Sequence, residues 1–234
     1  AQELADIHIK DGGFALTCDY ETVVALAKAR AQQVGANVLR IYEHRPPSAL
    51  GSTCHRIRAK ALRVADLTPY EKEIVWQAGR RLRQADFKAS TESRPFEAAT
   101  NSGIRYSAAG RLIDGAAQVR IETFFDCQNS YFKGNGNPAA TLAHEQGHFD
   151  LSEIYARRLT KAMQEQIHDT KDFEQQHESL YRALMTEWQT MQDKYDSEVY
   201  ADRSKQAGWQ SRIEQELQAL QPYAGKQVRL KFKL

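Results

Sequence analysis

Residues 144–148 read His-Glu-Gln-Gly-His. On a helix, two histidines at i and i+4 project from one face, about 6 Å apart along the axis. That spacing lets a single tetrahedral Zn²⁺ take a nitrogen from each ring, so His144 and His148 are the expected metal ligands. Glu145 stands one residue to the side. From there it is placed to take a proton from water on the metal without being a ligand itself. Gly147 puts no side chain beside the pair and leaves room for another backbone or a substrate to approach.

The pattern works only on a helix, and the flanking sequence supplies one. Gly134-Asn135-Gly136-Asn137-Pro138 reads as a tight loop with Asn137 as N-cap, followed by a helix over 138–167. A second helix is expected over 172–204. It carries the apolar stripe Phe173, Leu180, Leu184, Trp188, Met191, Tyr195, Val199 and is joined by the short link His168–Lys171, so the two should form an antiparallel hairpin. If the hairpin turns near 169–170, His144 faces Tyr195 and His148 faces Met191, and a third ligand should come from about 195–199. With Tyr195 at the centre of the inward stripe, Glu198 lies ~60° off it and Asp196 ~100° off it. Glu198 is therefore the expected third ligand, with Asp196 as the second choice. Glu153, on the same helix as the histidines, points elsewhere. Tyr195, level with the metal, is expected either to donate a hydrogen bond to a developing oxyanion or to be an amphipathic core tyrosine.

The rest of the chain reads as support. Ile7 and Ile9 alternate with polar residues, Tyr20–Gln33 has helical spacing and stops at Gly35, and 37–42 and 54–64 read as strands. This is a small β-α-β-β domain over residues 1–66. Residues 67–234 form the second domain. Thr68-Pro69-Tyr70-Glu71 reads as a capping box that opens a helix through Ile74, Val75, Ala78 and Leu82. Strands follow at 104–106 and 119–125. After the hairpin come a helix at about 205–220 and a basic edge strand through Val228, Leu230, Phe232 and Leu234. The expected fold class is α+β, with a short sheet beside the long hairpin.

Composition sets the outer limits. Thirty-two Lys and Arg against 30 Asp and Glu leave a net charge of +2, which argues against a strongly basic nucleic-acid binder. Hydrophobic residues at 41% are enough for a folded core, which argues against a disordered acidic chain. No apolar run approaches the ~18 residues of a membrane helix. The chain starts at Ala1-Gln2 without a Met, as expected of a processed precursor or a trimmed chain. Of its cysteines, Cys18 and Cys54 are expected to pair. A loop of about 36 residues closed in this way gives about 3–4 kcal/mol in the chain-entropy account, useful to a small core, and two buried thiols are the alternative. Cys127 is expected to be a buried free thiol.

The run His144-Glu-Gln-Gly-His-Phe-Asp-Leu-Ser-Glu-Ile-Tyr-Ala-Arg-Arg-Leu159 resembles a bacterial family described as predicted secreted zinc-dependent proteases. So do Ala98-Ala-Thr-Asn-Ser-Gly-Ile104, Asp86-Phe87, Tyr195-Asp196-x-Glu198 and Gln206-x-x-Trp209. The resemblance covers about residues 67–220. It implies a zincin-like, gluzincin-like peptidase domain located outside the cytoplasm, secreted or periplasmic, that acts on peptide or protein substrates. In the family pattern Tyr-Asp-x-Glu is followed by Thr and, two residues on, by His. Here those positions are Val199 and Ala201, which leaves Glu198, Asp196 or Asp202 to complete a site. The first 65 residues resemble, more loosely, small bacterial envelope domains.

Two functions of different class follow. One is a zinc peptidase that uses Glu145 as general base. The other is an envelope binding or scaffold protein whose metal site is vestigial or structural, with the hairpin as interaction surface. Nucleic-acid binding through Lys226, Arg229, Lys231 and Lys233 is not expected, because alternate basic residues fit a solvated strand face.

Overall fold

In the computed structural model, which describes residues 1–10, 19–48, 52–111 and 115–233, these periodicities resolve into an α+β protein. The chain divides into two units, Ala1–Leu67 and Thr68–Leu234.

The first unit contains β1 (Gln2–Ile9), α1 (Tyr20–Gln33), β2 (Val38–Arg45) and β3 (Arg56–Arg63). The strands form an antiparallel sheet in the order β1-β3-β2. Asp19 caps α1 by accepting from the Thr22 amide at 2.8 Å. Ile7, Ile9, Ile57 and Ala61 pack with Val23, Ala27 and Ala31 of α1, so one sheet face is the core. The opposite face carries the alternate, charged residues. Cys54 is buried, whereas Cys18 lies outside the described residues, and the expected pairing between them remains a proposal.

The second unit contains β4 (Glu73–Val75), β5 (Ala98–Ala99), β6 (Ser102–Arg111), β7 (Ala116–Asp126), β8 (Tyr131–Phe132), α2 (Pro138–Gln166), α3 (Thr170–Ala201), α4 (Lys205–Ala219) and β9 (Gln227–Lys231). Long β7 is central. It pairs with β6 along its whole length, with β4 at its C-terminal end and with β9 at its N-terminal end. The inward residues Val119, Ile121, Val228 and Leu230 pack on Leu151, Ile154, Leu159 and Met163 of α2, and α3 and α4 close the same core with Tyr195, Val199, Trp209 and Ile213.

One expected element is absent. The capping-box segment at Thr68 makes a single 3₁₀ turn, Thr68–Tyr70, and the chain then becomes strand β4 where a helix was expected. Ile74 pairs across to Phe125 and is buried with Phe87, Phe125 and Phe149, so pairing with an available sheet edge outweighs a local helix signal that includes two β-branched residues. The expected helix starts otherwise hold. Asn137 accepts from the Ala140 amide at 3.1 Å, and Asp169 caps α3 two residues earlier than expected. Cys127 is free and buried, and burial pushes its thiol up to about 11.

Candidate metal centre

The hairpin of α2 and α3 brings three ligand atoms together. His144 Nε2 and His148 Nε2 lie 3.2 Å apart, and Asp196 Oδ1 sits 3.0 Å from the first and 2.9 Å from the second. Among the described residues these three side chains are the one group of histidine, cysteine and acidic residues that could hold a metal ion. The expected third ligand, Glu198, is not in the group. Its carboxylate accepts from Trp209 Nε1 at 3.1 Å and pairs with Lys194. Asp202 is also elsewhere, accepting from the amide and hydroxyl of Ser204. Glu153 is fully buried between Arg157 and Lys226.

Two glutamines fix the histidine rings: Gln192, which nothing in the sequence singled out, and Gln206, which the sequence offered only within the Gln206-x-x-Trp209 match. Gln192 donates from Nε2 to the His148 carbonyl at 3.0 Å, which turns its Oε1 toward His148 Nδ1 at 2.6 Å. Gln206 donates from Nε2 to the Tyr195 hydroxyl at 2.7 Å and turns its Oε1 toward His144 Nδ1 at 3.2 Å. Each ring therefore faces an acceptor at Nδ1 and must carry its hydrogen there, which leaves Nε2 of both rings free to act as a ligand. Two Nε2 atoms and a carboxylate oxygen, all within about 3 Å of one another, repel unless a proton or a cation lies among them. The donor set suits zinc: two imidazoles, one carboxylate and outer hydrogen bonds that settle the tautomers.

The charges agree with this geometry. Burial alone would raise the Asp196 carboxyl, but the two imidazoles beside it outweigh burial and hold the group below the ordinary carboxylate range. Burial would lower His148, but Asp196, Glu145 and Gln192 together raise it above its usual 6.5.

Glu145 is 2% exposed, and its Oε2 is buried with no hydrogen-bond partner. Burial raises its carboxyl above the ordinary range. Glu145 lines both lobes of a cleft. One lobe, about 450 Å³, is walled by Ala98–Ser102, His148, Gln192 and Asp196. The other, about 310 Å³, is walled by Phe96, Ala140, His144, Val199 and Arg203. Tyr200 and Phe96, stacked at 6.3 Å, belong to both lobes.

Tyr195 does not reach the cleft. It is fully buried, its ring stacks on His144 at 4.6 Å, and its hydroxyl donates to the His144 carbonyl at 3.2 Å. A Cβ at position 147 would lie 2.3 Å from that hydroxyl, so the space beside the histidines belongs to Tyr195 and not to a substrate. The tyrosine that borders the cleft is Tyr200, half exposed, with its ring 5.3 Å from that of His144. Burial, then the charges of Asp196 and Glu145, push its phenol up to about 12. Tyr200 lies one residue beyond the segment 195–199 expected opposite His144, and nothing in the sequence singled it out.

Compared with known proteins, the chain matches no family model, no curated protein and no solved structure.

Proposed function

We propose that this chain is a zinc-dependent hydrolase of peptide bonds. The observation that carries the reading is the convergence of His144 Nε2, His148 Nε2 and Asp196 Oδ1 beside the unpartnered, buried Glu145 Oε2 in the wall of an open cleft. His144, His148 and Asp196 would hold the ion. A zinc ion there supplies a Lewis acid that polarises a carbonyl and brings the acidity of water toward neutral pH.

The remaining work falls to the chain's own side chains. Glu145 accepts the proton of the attacking water at Oε2 and delivers it to the departing amine. Its raised pKa suits both halves of that transfer, because a base that is too weak cannot take the proton and an acid that is too strong cannot keep it. Tyr200 stays protonated at neutral pH and stands at the cleft, where it donates to the oxygen that becomes negative as the carbonyl is attacked. Gln192 and Gln206 hold the rings in register. In the family that the chain resembles a histidine follows downstream; this chain has Ala201 there, and Asp196 would serve as the third ligand.

Glu145→Gln tests the assignment. The variant should keep stoichiometric zinc and lose turnover of an unfolded protein substrate by about 10²-fold or more. Unchanged hydrolysis would refute the role of Glu145. Failure of the wild-type protein to take up zinc at pH 7–8 would favour the scaffold reading.

A further inference from the structure

At one end of the first unit's sheet is a groove of about 330 Å³ whose lining includes Lys10, Arg45, Arg56 and Arg58 with one acid, Glu43. Elsewhere on the sheet's outer face each charged row contains one acid. Asp6 lies opposite Lys60, which is itself opposite Arg40, and Glu43 lies opposite Arg58, which is beside His8. The row at the sheet's end breaks the pattern. Arg56 of β3 is directly opposite Arg45 of β2, and Lys10 follows directly on Ile9, whose partner in β3 is Ile57. Like charges in directly opposed positions destabilise a sheet unless something neutralises them. Glu43 does not do so for Arg56, because it pairs with Arg45 and Arg58. Arg56 Nε is buried with no hydrogen-bond partner.

The arrangement depends on a register shift in β2. Ile41 pairs with Ala59, but Glu43 pairs with Arg58, so Tyr42 is an extra residue. An extra residue turns every later side chain to the other face. Without it, Arg45 would point to the helix side, with Leu39 and Ile41. The shift thus brings Arg45 onto the outer face beside Arg56.

We propose that this groove binds a phosphate-class oxyanion. Planar guanidinium forks match tetrahedral oxyanions bidentately, and Arg56, which lines the groove, has a donor at Nε that no protein group satisfies. The site is independent of the metal centre, so each proposal stands or fails separately.

The test is a titration of the full-length protein with inorganic phosphate at constant ionic strength, followed by NMR of the arginine Nε–H groups. The Arg56 resonance should move to a saturating limit. Arg45→Met or Arg56→Met, the latter followed at Arg58, should weaken binding about tenfold or more. Arg40→Met, on the same sheet outside the groove, should change it less than about twofold, the usual scale of an exposed charge. No saturable shift would overturn the proposal. So would an equal response to acetate, or an equal loss in Arg40→Met.

Discussion

Asp196 lies at the margin of the contact between α2 and α3, and that margin is where a ligand has to be. Tyr195, at the centre of the apolar stripe, is buried behind the histidine rings, while the Asp196 side chain is 41% exposed and reaches the cleft. Taking Tyr195 as the direction of the metal therefore favoured Glu198, about 60° from it, over Asp196. The row that does face the histidines is Gln192 and Asp196, four residues and about 40° apart on the helix. His144, Glu145 and His148 were legible because their spacing is local to one helix. The position of Asp196 and of the two glutamines was not, because it depends on how far one helix is rotated against another. Gln192→Leu should keep the fold and weaken zinc binding about 10–100-fold in a chelator competition, the usual cost of losing an outer partner. The pH dependence has a definite sign. His148 is raised above 6.5, so protons compete with the metal from above that value downward. Zinc affinity should fall as pH falls through this range, and binding at pH 7 should release protons, seen as a buffer-dependent enthalpy in calorimetry. A pH-independent affinity between 6 and 8 would contradict the assignment of His148.

At the scale of elements, the hairpin fixes the site by one close approach. Gly147 lets the Tyr195 hydroxyl come against the backbone of α2, and that contact sets the rotation of α3 that brings Asp196 between the rings. Gly147→Ala should cost about 1–3 kcal/mol in denaturant unfolding through overpacking, and should lower zinc affinity as well. The cap at the start of the same helix acts on stability alone. Asn137→Ala removes an acceptor for the Ala140 amide and should cost about 1 kcal/mol with zinc affinity unchanged. Helices and long strands were legible wherever the apolar period ran for three turns or alternated through a whole strand, as in 20–33, 119–125 and the hairpin. The segment after Thr68 was not, since its capping signal is genuine but short, and what decides its structure is the edge of β7, some fifty residues away in sequence.

For the whole molecule, the two units carry separate cores and separate candidate sites. Metal should therefore stabilise them unequally. Zinc in excess should raise the unfolding temperature of Thr68–Leu234 by mass action and leave that of Ala1–Leu67 in place, giving calorimetric transitions that move apart. The near-neutral charge of the whole chain hides local imbalance, since one end of the first unit's sheet gathers Lys10, Arg45, Arg56 and Arg58 around a single acid, Glu43. The measurement that bears most directly on the central claim is an anomalous difference map at the zinc edge, from crystals of the zinc-treated protein. One peak bonded to His144 Nε2, His148 Nε2 and Asp196 is the predicted result. No peak there, or a peak held by Glu198 without Asp196, would contradict it.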